Sequence, residues 1–237
     1  PPHERSSWWK RLALRHVVTL AGDRGTVHSV AEKHALLAPW TSAPVPAVTV
    51  PAESALPDDI AAALRPGAVV VHAPSMWSYK QWPIEHYAQV VRELLAEGRQ
   101  VVLTGSSSER DQACIAPLRQ LGAAGQLLDT SGRLDFRQIV ALLRRAALCI
   151  GPDTSVPHLA AAVGIPVVVV FGPTNPMRWA PWPGRAEQPV TWIRSAGRQQ
   201  VGNVTLLQSG FACVPCGRAG CEDHRDSRSD CLADIGP

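Results

Sequence analysis

The chain has 237 residues, of which 46% are hydrophobic and 18% are charged, with a net charge of +3 and a pI near 8.7. This composition excludes an intrinsically disordered chain, which holds fewer apolar and more charged residues. The mild basic excess suits a phosphate-bearing ligand or an anionic membrane surface, and it is too dispersed for a nucleic-acid-binding protein. The longest apolar run, 165–171, contains a proline and is far shorter than the roughly 20 residues that span a bilayer. We therefore expect a protein that is soluble or lies peripherally on a membrane.

Regular elements are predicted from residue 68 onward, after a less regular start. A helical stretch at 28–37 is followed by a proline-rich passage, 39–57, which is typical of a linker. Apolar runs then predict strands at 68–72, 100–104, 126–129, 147–151 and 166–171, and helical spacing predicts helices at 83–97, 109–121, 135–146 and 156–163. Continuous apolar strands that alternate with helices predict a doubly wound parallel sheet, an α/β fold. Ligands of such sheets bind outside the carboxyl ends of the strands, so the candidate stretches follow each strand, at 72–80, 105–109, 131–134, 153–158 and 172–182.

The strongest local signal follows the fourth predicted strand. Asp153, Thr154 and Ser155 all favour a helix N-cap, and Pro157 suits the first turn. The free amides and positive dipole end of such a helix favour a phosphate, and His158 can face the same ligand. The alternative is an ordinary capped helix, with Asp153 stabilising the dipole and His158 packed in a wall. These residues alone leave both interpretations open.

The loop after the first predicted strand adds a positive charge. Lys80 can contact a diphosphate and Ser75 can donate a hydrogen bond to it, although Lys80 could equally be a solvated surface lysine. The chain contains no Gly-x-Gly-x-x-Gly, and the loop 105–108 is not followed by Gly-Lys-Ser/Thr. A nicotinamide dehydrogenase and a P-loop NTPase are therefore disfavoured.

Three separated motifs resemble glycosyltransferase family 9, the heptosyltransferases of lipopolysaccharide core assembly. They are Lys80-x-Trp82-Pro83, Asp153-Thr154-Ser155-x-Pro157-His158-Leu159-Ala160-Ala161-Ala162 and Phe171-Gly172-Pro173-Thr174. They occur in the family order with family-like spacing, and the resemblance runs from about residue 68 to the end. Ser75-x-Trp77-x-Tyr79-Lys80 and a carboxy-terminal cysteine segment look like the heptosyltransferase III subgroup.

The resemblance implies a GT-B architecture, in which two Rossmann-like halves face each other and this chain carries the carboxy-terminal one. Residues 1–56 are then the remnant of the acceptor-side domain and a linker, 57–195 the nucleotide-sugar-binding domain, and 196–237 the cysteine-containing segment. Family chains are longer at the amino end. The missing part is expected to hold most of the acceptor domain and the acidic general base, so the activity of this chain alone is open.

By the same resemblance, the reaction is the inverting transfer of heptose from ADP-heptose to an inner-core heptose of lipopolysaccharide, with no cofactor required for catalysis. Lys80 and Asp153 are the expected catalytic residues. The nucleotide sugar is expected to contact Ser75, Lys80, Glu109, Leu134, Asp153, Thr154, Ser155 and His158. The protein is expected in the cytoplasm, at the cytoplasmic face of the inner membrane, with no nucleic-acid partner. The alternatives are a nucleotide-sugar-binding fragment without turnover, a nucleotide-sugar epimerase-like enzyme and a cysteine-rich metal-binding module.

Four of the six cysteines cluster near the carboxyl end, at Cys213, Cys216, Cys221 and Cys231. One close pair and two further thiols are consistent with a structural zinc site, with disulfides, or with reduced thiols that shape a loop. A reducing cytosol disfavours disulfides, and the other two interpretations stay open. Cys114 and Cys149 lie in apolar sequence and are expected to be inert core thiols.

Overall fold

A computed structural model of the protein describes residues 18, 25–123, 125–184, 190–194 and 197–237. The strands are β1 (Val69–Val71), β2 (Val101–Leu103), β3 (Leu127–Asp129), β4 (Leu148–Pro152), β5 (Val167–Phe171), β6 (Arg198–Val201) and β7 (Val204–Gln208). The helices are α1 (Ser29–Ala35), α2 (Asp58–Ala63), α3 (Ile84–Ala96), α4 (Glu109–Arg119), α5 (Phe136–Arg145), α6 (Ser155–Val163), α7 (Pro176–Trp179) and α8 (Asp230–Ala233), and a 3-10 helix covers Ser78–Lys80.

The seven strands form one sheet in the order β3-β2-β1-β4-β5-β7-β6. Every neighbouring pair is parallel except β6 and β7, which form an antiparallel hairpin. The predicted α/β fold with a mostly parallel sheet is therefore confirmed. The strand order reverses between β1 and β4, and in open α/β sheets ligands bind in the crevice at such a switch point.

Helices cover both faces of the sheet, because alternate residues of each strand point to opposite sides. Val69 and Val71 lie in one apolar core with buried residues of α3 and α4, whereas Val70 lies in a second core with buried residues of α2, α5 and α6. The three residues of β1 are at most 2% exposed. Burial on both faces explains why the strands appear in the sequence as unbroken apolar runs.

Local capping signals set the ends of the helices that flank the switch point. At the start of α5, the Asp135 carboxylate accepts a hydrogen bond from the Gln138 amide at 2.8 Å, and the Gln138 side chain accepts one from the Asp135 amide at 3.0 Å. This reciprocal pair is a capping box. Helix α6 ends at Gly164, whose φ of 91° favours glycine because a side chain is strained there. These signals explain why the predicted boundaries lie close to the observed ones.

The sheet continues beyond residue 195, where the sequence analysis placed a domain boundary. Strand β7 pairs in parallel with β5, with Val204 opposite Val167, and β6 adds the edge strand. Along β7 only Val204, Leu206 and Gln208 are buried. Such alternation is typical of a half-buried strand and differs from the unbroken apolar runs that identified the inner strands.

The described residues ahead of α2 pack against the domain that carries the sheet. The His28 Nε2 lies 2.8 Å from the Ala180 carbonyl oxygen, and Arg178 pairs with Glu32 at 2.6 Å. The end of the proline-rich passage contacts α5, where the Arg137 side chain donates to the Ala52 carbonyl oxygen at 2.9 Å. None of the helices in the described part of the chain is long and apolar enough to cross a bilayer.

Gly151, in the strand that leads to the switch point, has no room for a side chain. A Cβ there would lie 2.8 Å from the His72 carbonyl oxygen and 2.8 Å from Cγ of Pro157. We expect Gly151→Ala to cost about 2 kcal/mol through overpacking, which lowers Tm by roughly 4–8 °C in a domain of this size. Thermal unfolding followed by circular dichroism measures this, with Gly210→Ala as the control because its Cβ would meet nothing within 4 Å. Equal Tm values for the two variants would contradict the close contact.

Candidate functional site

A cavity of about 770 Å³ opens at the edge of the sheet where β1 to β4 end. Its volume is in the range of small-molecule sites. The residues around it follow four different strands, as the doubly wound topology predicts. They are His72, Pro74, Ser75, Met76, Trp77 and Lys80 after β1, Gly105, Ser106, Ser108, Arg110 and Asp111 after β2, Leu134, Asp135, Phe136 and Ile139 after β3, and Asp153, Thr154, Ser155 and Val156 after β4.

A partly buried ion pair joins two walls of this cavity. The Lys80 Nζ lies 2.6 Å from Oδ2 of Asp153, whose side chain is 6% exposed, and Nε2 of His158 lies 3.3 Å from Oδ1 of the same carboxylate. Burial alone would raise the pKa of Asp153, but the hydrogen bond from His158 and the charge of Lys80 outweigh it and hold this pKa below its usual value. The carboxylate is therefore ionised at neutral pH.

Lys80 keeps hydrogen-bonding capacity after pairing with Asp153. An ammonium group carries three N–H donors, and the contact with Asp153 occupies one of them. The side chain of Lys80 is 21% exposed and contributes to the cavity wall. The remaining donors and the positive charge can thus act on an anion inside the cavity, while Asp153 fixes where the ammonium stands.

The start of α6 forms another wall of the cavity, in addition to the loop that carries Lys80. Thr154 is the N-cap, and both Ser155 and Val156 border the cavity. The first amides of a helix have no acceptor within the helix, and Pro157 has no amide hydrogen, so Ser155 and Val156 are the two free donors. The Thr154 Oγ1 is buried and lacks a hydrogen-bond partner among the described residues. This wall offers several donors to an anion.

Asp153 does not cap α6, contrary to the ordinary alternative considered for this segment. Its two carboxylate oxygens accept from Lys80 and His158, and Thr154 occupies the N-cap position without a side-chain cap. The amides at the helix start are therefore left for another acceptor.

Most of the predicted binding residues come together around the cavity, and two do not border it. Glu109 is exposed at the first position of α4, and His158 contacts Asp153 without bordering the cavity itself. The cavity is bordered by Ser75, Lys80, Leu134, Asp153, Thr154 and Ser155.

Sequence reasoning missed several cavity residues that lie in the first turns of α4 and α5. Arg110 donates to the Met76 carbonyl oxygen at 2.7 Å and ties the two loops together. Met76 and Phe136 expose 66% and 58% of their surface beside the cavity. The candidate stretches 105–109 and 131–134 ended just ahead of Arg110 and Phe136. Extending each stretch by one helical turn would have included them.

His72, directly after β1, is a buried neutral group at the base of the cavity. Its Nδ1 lies 3.0 Å from Oγ1 of Thr104, and burial lowers its pKa to about 4. At neutral pH the imidazole therefore carries no charge. The positive charge next to the helix start comes from Lys80 and not from His72.

The four carboxy-terminal cysteines lie around a second cavity of about 200 Å³, and all are free thiols. Cys213, Cys216 and Cys221 are exposed, whereas Cys231 is buried, and burial raises the pKa of Cys231 to about 11. Across the described residues, no three Cys, His, Asp or Glu side chains are placed so that they could hold a metal ion. The described side chains, as they lie, therefore do not form the zinc site that the spacing allowed.

Of the other two cysteines, Cys149 is buried and Cys114 is half-buried, and neither borders either cavity. Burial raises the pKa of Cys114 to about 11 and that of Cys149 to about 12. Both remain protonated at neutral pH, and a protonated thiol is a poor nucleophile.

Comparison with known proteins points to one family. The model of glycosyltransferase family 9 (heptosyltransferase) matches residues 7–204. Lipopolysaccharide heptosyltransferase 3 of Escherichia coli is 32% identical over 114 residues, which are 48% of this chain and 34% of that protein. This chain thus spans about a third of the length of that relative.

Solved structures share the fold. The glycosyl transferase family 9 protein from Veillonella parvula DSM 2008 superposes with a TM-score of 0.64 at 17% identity, over 90% of this chain and 58% of that one. The E. coli heptosyltransferase WaaC with ADP superposes with a TM-score of 0.54 at 19% identity, over 71% of this chain and 50% of that one. Roughly half of each of those chains therefore corresponds to the domain described here.

Proposed function

The chain belongs to glycosyltransferase family 9, and from this premise we propose that it is the donor-binding half of an inverting heptosyltransferase. The donor would be ADP-heptose and the acceptor an inner-core heptose of lipopolysaccharide. One observation carries the proposal: Lys80 and the first two residues of α6, Ser155 and Val156, border the same cavity. A positive charge next to a helix start is suited to a diphosphate.

The diphosphate of the donor would lie between Lys80 and the start of α6. The amides of Ser155 and Val156 would donate to the phosphate oxygens. The exposed side chains of Met76 and Phe136 offer apolar surface to the base at the same cavity. In support of this donor, the E. coli heptosyltransferase WaaC was solved with ADP.

On the donor side, this half of the enzyme would catalyse the reaction by electrostatic stabilisation of the leaving group. An acceptor hydroxyl attacks the anomeric carbon from the face opposite the diphosphate, the bond from that carbon to the phosphate oxygen breaks, and ADP leaves with inversion. Lys80 and the helix amides stabilise the charge that develops on the departing oxygen, so no metal is required. Asp153, predicted to be catalytic, orients Lys80 in this scheme.

The acceptor side of the reaction is assigned to the other half of the enzyme. A general base must come within hydrogen-bond reach of the attacking hydroxyl to accept its proton. We assign this base to an acidic residue of the acceptor-side domain. Since the acceptor is anchored in a membrane, the assembled enzyme would work in the cytoplasm at the inner-membrane face.

The second candidate function is donor binding without turnover, which the partial match favours. The matched residues are 34% of heptosyltransferase 3 from E. coli, and the acceptor site and the general base are assigned above to the other half of the enzyme. Both candidates share the same donor site. They differ in whether ADP-heptose and a core acceptor yield a product with this chain alone.

Calorimetric titration with ADP and with UDP tests the donor class. We expect ADP to bind at least about tenfold more tightly than UDP, a difference of about 1.4 kcal/mol, because the donor is an ADP-sugar. A preference for UDP would replace this proposal with an epimerase-like or other UDP-sugar enzyme. Adding ADP-heptose and a core acceptor to the same preparation then separates transfer from binding alone.

A further inference from the structure

The carboxy-terminal residues 225–235, named here the terminal brace, contact the loop that carries Lys80. The Ser229 hydroxyl donates to the Tyr79 carbonyl oxygen at 2.8 Å, and the Trp82 indole donates to the Ile235 carbonyl oxygen at 2.8 Å. The Arg225 guanidinium lies 4.8 Å from the centre of the Trp77 ring. The brace thus touches the loop on both sides of Lys80.

The loop needs such support because its own structure is minimal. Lys80 ends a three-residue 3-10 helix, in which its amide donates to the Trp77 carbonyl oxygen at 3.0 Å. Helical turns this short have little stability of their own, since one or two hydrogen bonds must offset the ordering of the backbone. The position of the Lys80 side chain therefore depends on contacts from outside the turn.

The brace itself is anchored in the core. Leu232 is 1% exposed and belongs to the apolar core that also contains Trp82 and Val71. Ser229, 6% exposed, lies directly ahead of α8, the helix that carries Leu232. A contact from Ser229 to Tyr79 thus joins the loop to a fixed part of the molecule.

We propose that Ser229 is a positioning residue for diphosphate binding: by holding the Tyr79 carbonyl, it keeps the Lys80 ammonium beside Asp153 and over the cavity. The inference rests on the proposed function, since the ligand is the diphosphate of the donor. It also gives the cysteine-containing segment a role that requires no metal. Ser229 acts through Lys80 and touches neither the sugar nor the phosphates.

Two matched variants test this role. Ser229→Ala removes the hydroxyl that contacts the loop, and Thr130→Val removes a buried hydroxyl outside the brace and the cavity lining that likewise donates to a carbonyl oxygen, that of Leu103, at 2.8 Å. We expect Ser229→Ala to weaken ADP binding roughly three- to tenfold, as loss of one hydrogen bond allows. Thr130→Val should leave ADP affinity unchanged. In a Lys80→Ala background, Ser229→Ala should have no further effect on affinity.

Amide hydrogen exchange without ligand provides a second readout. The amides of Lys80 and Gln81 are hydrogen-bonded within the turn, and their exchange should accelerate in Ser229→Ala and not in Thr130→Val. If both variants weaken ADP binding equally, or if Ser229→Ala acts equally with and without Lys80, the positioning role is overturned. Failure of the unmodified chain to bind ADP would instead overturn the proposed function, and the exchange comparison would still decide whether Ser229 holds the loop.

Discussion

Replacing Lys80 with alanine should weaken ADP binding by about ten- to a hundredfold, the value of a hydrogen bond to a charged group. Two effects act in the same direction. The variant removes the ammonium that borders the cavity, and it leaves Asp153, 6% exposed, as a negative charge without its lysine partner beside the diphosphate. Calorimetric titration of ADP into the variant and the unmodified chain measures the loss.

Lys33→Ala is the matched control, because it removes the same charge from an exposed position of α1 that does not border the cavity. ADP affinity should be unchanged in this variant. Lys80→Arg keeps the charge but alters the geometry, and it should recover part of the affinity. Equal ADP affinities for Lys80→Ala and Lys33→Ala would show that Lys80 does not contribute to the binding site.

Asp153→Asn should reduce the free energy of unfolding at pH 7 by about 2 kcal/mol, less than for a fully buried ion pair because Lys80 is partly exposed. The loss should depend on pH with a definite sign. The pKa of Asp153 is lowered in the folded chain, so the carboxylate stabilises the fold above its unfolded pKa, and this stabilisation disappears as pH falls through the folded pKa. The difference between the two proteins should therefore be full at pH 7 and shrink below about pH 4.

Urea unfolding at a series of pH values between 7 and 3.5 measures this difference. The control is Glu97→Gln, which alters an exposed carboxylate at the end of α3. It should change stability by less than about 0.5 kcal/mol at each pH. A destabilisation by Asp153→Asn that stays constant across the range would show that the ionised pair with Lys80 does not stabilise the fold.

The inner part of the fold could be predicted because its signals are local. The strands β1, β2, β4 and β5 are unbroken apolar runs, since helices cover both faces of the sheet. The ends of α5 and α6 are set by Asp135 and Gly164, which are recognisable in the sequence. Together, the predicted strands and helix ends place the loops that follow the strands at one edge of the sheet.

What the sequence did not reveal depends on contacts between distant parts of the chain. Lys80 and Asp153 are separated by 73 positions, and Ser229 and Tyr79 by 150. Nothing in the residues themselves decides that the Asp153 carboxylate accepts from Lys80 rather than capping its own helix. Likewise, β7 was missed because its alternating burial is a weaker signal than an unbroken apolar run.

The central claim is that a diphosphate binds between Lys80 and the start of α6. The amide resonances of the first residues of α6 test this claim most directly. In a titration of ADP followed by ¹H–¹⁵N correlation spectra, the largest shifts should occur at Ser155 and Val156, and inorganic pyrophosphate should shift the same two amides. These shifts should shrink in Lys80→Ala. Saturable ADP binding that leaves both amides unshifted would contradict the account.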